Sequence, residues 1–307
     1  MTSLMLLTTA VIWGGTFIAG RLLSQEIAPF TGALLRFVAA SAFLSTVLLW
    51  KERRLPRITR SLVLPLLGLG ATGVFAYNVF FFMGLKTVPA GRAALIIAGN
   101  PVALTLMSRL FFKEPLYGVK LAGVALCLTG AAVVIGHGNP LALLTGDVGL
   151  GELAIVGCVG SWTAYTLLGR LVMGPGGAGL ARRKPMMSEL TPLQAVTCSC
   201  LLGLVMLLPF ALAEGLPEQL ARLSATGAAS VAYLGVLGTG LGFVWFYQGV
   251  QAIGPSRAAV FINFVPVSAA LLGVALLGES LDASLLAGGA LVLGGVALTN
   301  RPRKGAP

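Results

Sequence analysis

The sequence predicts an all-α polytopic membrane protein, with ten transmembrane helices forming two inverted five-helix repeats around a central cavity. Three observations predict it. First, 57% of the 307 residues are hydrophobic and only 10% are charged, where a soluble domain carries about 25% charged residues. A mean hydropathy of +0.93 says the same. Such a chain cannot hide its side chains in one core and keep a wet surface. Second, its apolar runs have the length of bilayer spans, about 20 residues. Third, the pattern of the first half returns in the second.

The runs follow in order as Ser3–Arg21, Pro29–Trp50, Leu62–Met83, Ala90–Phe112, Tyr117–Gly136, Gly149–Leu171, Leu190–Ala213, Gly227–Gln248, Pro255–Leu277 and Leu281–Thr299. The first has no basic leader and does not read as a cleaved signal. Short connections leave no room for a soluble domain. The net charge of +11 sets orientation, because Lys and Arg are retained on the cytoplasmic side. With the amino terminus inside, that side holds Lys51, Arg53, Arg54, Arg57 and Arg60, then Arg109, Lys113 and Lys120, then Arg170, Arg182, Arg183 and Lys184, Arg257, and finally Arg301, Arg303 and Lys304. The outside holds Arg21, Lys86, Arg92 and Arg222, a roughly fourfold deficit. Both termini are therefore expected in the cytoplasm, and the chain in a bacterial inner membrane.

The repeat is read without gaps. Gly84–Leu116 aligns with Gly249–Leu281, matching Gly84/Gly249, Arg92/Arg257, Ala93/Ala258, Ala94/Ala259, Ile97/Ile262, Pro101/Pro266, Val102/Val267, Glu114/Glu279 and Leu116/Leu281. A weaker match pairs Trp13 and Gly20-Arg21-Leu22 with Trp162 and Gly169-Arg170-Leu171. Residues 1–148 and 149–300 are the expected halves, with 301–307 a basic cytoplasmic tail. Five helices is an odd number, so the second copy is expected upside down. Inverted repeats recur in secondary transporters, with the substrate site near the midplane. The Gly-rich stretch after Leu171 reads as a linker, since it lacks the Lys-Ser/Thr ending of a phosphate-binding loop.

The acids Glu26, Glu52, Glu114, Asp147, Glu152, Glu189, Glu214, Glu218, Glu279 and Asp282 all fall in loops or near span ends. Proton-driven carriers keep a titratable group in the pathway, so exchange down the substrate's own gradient is expected. Arg36 is the cation inside a span. It reads as a structural brace to the carbonyls of a broken neighbour or as the counter-charge of a substrate carboxylate. Pro101 and Pro266 interrupt their helices at equivalent positions and are expected hinges. Their freed carbonyls must face protein or a wet cavity. An aromatic and amide pocket is expected from Tyr77, Asn78, Phe81, Gly99, Asn100, Trp162, Tyr165, Phe243 and Asn263. Cys127, Cys158, Cys198 and Cys200 lie in apolar runs without zinc spacing, and His137 lies in an external Gly-rich loop. No metal, cofactor or nucleic acid is expected; the partners are a small-molecule substrate and lipid. Glycines along the fifth and tenth spans brace the bundle or make a homodimer.

Trp13-Gly14, Pro29 with Leu35-Arg36-Phe37, and in both halves Arg-Ala-Ala, a mid-span Pro and Glu-x-Leu together resemble the ten-span, EamA-like branch of the drug/metabolite transporter superfamily. The pattern covers nearly the whole chain. The resemblance implies a bundle with a central cavity, alternating access and export of amino acids or related metabolites. Drugs, organic cations and nucleotide sugars are the alternatives within carriers; a phosphate-bearing solute would call for more cations than Arg36. A membrane-embedded enzyme would need paired acids, a His set or an activated Ser, which the sequence lacks.

Overall fold

Lipid-soluble rods held together at their tips describe the architecture. The computed structural model describes residues 2–53, 58–113, 118–139, 148–173 and 190–300. The Gly-rich linker, Glu114, Asp147, Glu189 and the basic tail lie outside these residues. Among the described residues every regular element is helical. In chain order they are α1 (Thr2–Glu26), α2 (Pro29–Glu52), α3 (Arg60–Leu69), a first π-helix (Gly70–Ala76), α4 (Tyr77–Leu85), α5 (Ala90–Ile97), α6 (Asn100–Phe112), α7 (Gly118–Ile135) and α8 (Leu150–Met173). Then come α9 (Pro192–Ala213), α10 (Leu216–Arg222), α11 (Ala225–Ala232), a second π-helix (Tyr233–Leu241), α12 (Gly242–Ile253), α13 (Pro255–Ile262), α14 (Phe264–Leu277) and α15 (Ala283–Thr299).

Among the described residues, eight stretches are long and apolar enough to cross a bilayer, and α15 is a shorter apolar helix. The eight coincide with eight of the ten expected runs, while α8 and α15 occupy the other two positions. Leu4, Leu64, Leu110, Phe111, Val205 and Leu276 point outward with at least 65% of their surface exposed. That is a lipid-facing surface, because a soluble exterior does not carry apolar patches of this extent.

The spans run past the expected ends where polar residues find helix-end partners. Helix α1 continues from Arg21 to Glu26. Arg21 donates from Nη1 to the carbonyls of Leu85 (2.6 Å) and Val88 (3.2 Å) just beyond α4, where a cation meets the negative end of the helix dipole. The acids expected at the edges serve helix starts, whose first N–H groups have no intrahelical acceptor. Glu214, after α9, accepts from the Phe30 and Thr31 amides at 3.3 and 2.8 Å. Glu279, after α14, accepts from those of Ala90 and Gly91 at 2.6 and 3.1 Å. Glu26, ending α1, accepts from the Ser224 amide and hydroxyl at 3.1 and 2.7 Å.

Buried Arg92, expected on the outer side at the start of the fourth run, sits in the first turn of α5. It pairs with Asp282 at 2.7 Å and donates to the Val134 carbonyl. These bonds gather the ends of α1, α4, α7, α9 and α14 with the starts of α2, α5, α11 and α15. We call this the latched end. At the opposite end, Glu52, the last residue of α2, accepts from Thr191 Oγ1 at 2.7 Å and from Gln194 Nε2 at the start of α9. Helices α2 and α9 thus exchange terminal carboxylates, each acid reaching the other's first turn.

The glycines of α7 and α15 face each other within one chain. A methyl at Gly130 would strike the Val292 amide and the Gly288 carbonyl, and one at Gly295 would strike the backbone of Gly123 and Cys127. Close backbone approach of this kind is how helices pack where lipid supplies no hydrophobic drive.

Candidate functional site

Both expected proline breaks are present. The α5 carbonyl ladder ends at Ala98–Gly99, and α6 restarts with Pro101 at its opening, where a missing N–H costs nothing. Asn263 interrupts α13 and α14 ahead of Pro266 in the same way. Two further irregularities stand beside these. One π-helix spans Gly70–Ala76 and another Tyr233–Leu241, a conformation below 1% in ordinary proteins that concentrates at functional sites.

All four irregularities surround one cavity of about 670 Å³, within the usual range for a small-molecule site. Its walls are Trp13 and Thr16 of α1, Arg36 of α2, Tyr77 and Asn78 of α4, and Asn100 and Pro101 of α6. Across from them stand Trp162 and Tyr165 of α8, Thr239 of the second π-helix, Phe243 and Phe246 of α12, Asn263, and Pro266. The lining extends to Gly169 late in α8 and to Asn300 just past α15. The cavity therefore runs from mid-bundle toward the end where α1 begins and α15 finishes, away from the latched end.

The expected residues divide as follows. Tyr77, Asn78, Asn100, Trp162, Tyr165, Phe243 and Asn263 line the cavity, as do Arg36, Pro101 and Pro266. Phe81 and Gly99 do not. Phe81 is 1% exposed and lies one layer behind the wall, with the Tyr77 ring stacked on it at 6.1 Å and Phe17 against it at 5.4 Å. Helical spacing placed Tyr77 and Phe81 on one face, but the outer ring covers the inner one. Gly99 is a joint whose amide donates to the Ile96 carbonyl.

Two groups of rings line the wall, each joining residues from before and after residue 148. Tyr77 meets Trp162 at 5.5 Å, and Trp162 meets Tyr165 at 5.3 Å. Trp13 meets Phe243 at 5.7 Å and Phe246 at 5.3 Å. Trp13 and Phe246 were missing from the expected site. The signal for Trp13 was its sequence match with Trp162, which also lines the cavity. The Trp13 Nε1 donates to the Gly238 carbonyl at 2.9 Å, inside the second π-helix. The Tyr233 hydroxyl from that helix returns a bond to the Ile12 carbonyl at 3.0 Å.

Arg36 is 9% exposed. The expected brace to broken-helix carbonyls takes another form. Arg36 Nε donates to Thr239 Oγ1 at 3.2 Å, while that hydroxyl donates to the Leu234 carbonyl at 3.0 Å. Phe37 and Phe81 each hold a ring 5.7 Å from the guanidinium carbon. Cation–π contact is worth about 2 kcal/mol when desolvated, whereas burying an ion costs several kcal/mol. These contacts leave part of that cost uncompensated, and among the described residues no acid lies in the cavity lining. Asn78 spends its Nδ2 on the Gly73 and Val74 carbonyls at 3.3 and 2.8 Å, in the first π-helix. Its Oδ1 and that of Asn100 are buried with no partner among the described residues.

An apolar helical bundle with broken helices around a central cavity is the architecture of a membrane transporter. The EamA-like transporter family model matches residues 1–136 and 149–301. The uncharacterized transporter YyaM of Bacillus subtilis is 27% identical over 95% of this chain and 91% of its own. A protein of Streptantibioticus cattleyicolor named "probable terminal-alkyne amino-acid exporter" is 30% identical over 96% of this chain and 92% of its own. A solved crystal structure superimposes with a TM-score of 0.62 at 21% identity, covering 97% of this chain and 96% of its own, and so shows the shared fold. The chain belongs to the EamA-like transporter family.

Proposed function

We propose that the protein is a secondary transporter that exports small metabolites, foremost amino acids with neutral or aromatic side chains, by alternating access. The observation that carries this reading is the cavity, where the helix breaks of both halves meet a mixed aromatic and amide wall. The halves act as two inverted five-helix units; the two family-matched ranges fall on the proposed division. Ten spans, with α8 and α15 crossing beside the eight apolar stretches, bring both termini to the cytoplasm of a bacterial cell, in line with the basic residues on that side. In this orientation the latched end faces outward and the cavity faces inward, as loading for export requires. The relative named as an amino-acid exporter supports the substrate class. Described acids sit at helix ends rather than in the pathway, so flux follows the solute's own gradient and the protein works without catalysis.

The test is counterflow in proteoliposomes. Labelled neutral amino acid is expected to enter vesicles preloaded with the same solute, and an imposed pH gradient is expected to produce no accumulation. Trp162→Ala is expected to lower that flux about tenfold, on the scale of a lost aromatic anchor, with unchanged expression. Flux unaltered by Trp162→Ala removes the residue from the site. Accumulation driven by pH alone contradicts the coupling.

A further inference from the structure

Among the described residues the cavity lining carries one formal charge, Arg36, and no carboxylate or histidine. That cation is nearly buried, and its only hydrogen bond among the described residues leaves from Nε to Thr239. The two terminal guanidinium nitrogens, the part of the fork that grips a carboxylate through paired bonds, have no protein acceptor among those residues. Aromatic rings at Phe37 and Phe81 hold the guanidinium but offer no anion. We infer that Arg36 is the docking point for the substrate's carboxylate. It makes the cavity a charge filter that takes carboxylate-bearing solutes and refuses net cations.

This inference rests on the transporter reading and sharpens it. The counter-end of a zwitterion has a place as well. Asn100 Oδ1 is a buried acceptor without a partner, and the last torsion of an asparagine is soft enough to turn its amide. Turned toward the cavity, it accepts one N–H of an ammonium group, a neutral acceptor that tolerates a zwitterion without attracting a free cation. Asn78 cannot play that part, because its amide is pinned by two carbonyls of the first π-helix. Between the two ends, Tyr77 and Trp162 present ring faces for an apolar side chain.

Three probes separate the groups: L-phenylalanine, its decarboxylated amine phenethylamine, and its deaminated acid 3-phenylpropionate. In wild-type proteoliposomes, labelled phenylalanine counterflow is expected to be inhibited by unlabelled phenylalanine and by 3-phenylpropionate, but not by phenethylamine at the same concentration. Arg36→Gln is expected to raise the half-saturating phenylalanine concentration about tenfold or more, the scale of a lost charged hydrogen bond, and to let phenethylamine compete. Arg36→Lys should fall between, since it restores the charge without the fork. A purely structural arginine would instead depress all solutes together.

Wild-type inhibition by phenethylamine as strong as by phenylalanine overturns the inference while leaving the transporter reading intact. So does an Arg36→Gln protein with unchanged solute preference. A wild type that moves none of the three probes overturns the transporter reading and this inference with it. If Arg36→Gln fails to fold, the wild-type competition alone decides.

Discussion

Asp282 shows how one side chain secures the latched end. It caps α15 through the Leu285 amide, accepts from the Ser284 hydroxyl, and pairs with Arg92. The Ser284 hydrogen bond first, then the Leu285 amide and the Arg92 charge, hold its carboxyl below the usual carboxylate range. A group with a depressed pKa adds stability above its unfolded value and loses it as pH falls through the folded one. The melting-temperature difference between wild type and Asp282→Asn is therefore expected to stay constant from about pH 5 to 8 and to shrink only below about pH 4. Shrinkage near neutrality would contradict the assignment to this carboxyl. At this scale the site was largely legible from residue type. Amides, a span-embedded cation and paired aromatics have few reasons to sit in oil, and seven of the nine expected pocket residues line the cavity. Phe81 was misplaced because periodicity gives direction and not depth.

Among elements, the closest packing is between α7 and α15. Gly130 faces backbone atoms of Gly288 and Val292, which cannot yield, whereas Gly160 of α8 faces open space. Gly130→Ala is expected to cost about 1–3 kcal/mol through overpacking, and Gly160→Ala to be neutral or stabilising through helix propensity. Thermal melts in detergent compare the two; equal shifts would contradict the packing assignment. The expected choice between a brace and a dimer for these glycines meets a structure in which they are occupied within one chain. Proline breaks were readable because proline has one effect on a helix. The π-helices were not. Gly70 and Gly73, or Gly235, Gly238 and Gly240, read equally well as packing glycines, and only their neighbours decide. Gly70 lies against the α9 backbone at Ser199 and Gly203, and Gly235 against the α2 backbone at Arg36 and Ala40. Helix α10 was invisible for a different reason: Leu216–Arg222 is too short and too polar to stand out as a run.

In the whole molecule, the two ends differ. The latched end carries Glu26, Glu214, Glu279 and the Arg92–Asp282 pair, and the cavity lies toward the other end. The α2–α9 exchange through Glu52 and Glu214 ties these two helices at both tips. Under the proposed alternating access, rocking one unit on the other would trade one set of latches for another. The broad layout was legible because lipid forces whole spans to be apolar. Which end is closed was not, since tip bonds join residues almost two hundred positions apart.

Spin-label distances across the halves test the rocking directly. The native cysteines Cys127, Cys158, Cys198 and Cys200 are all buried, so surface labels can be placed without competition. One pair, Lys86→Cys with Glu218→Cys, spans the latched end; the other, Lys51→Cys with Asn300→Cys, spans the cavity end. On adding a transported solute, the first distance is expected to lengthen as the second shortens. Distances that stay fixed, or move in the same direction, while the protein carries solute would contradict alternating access between two halves.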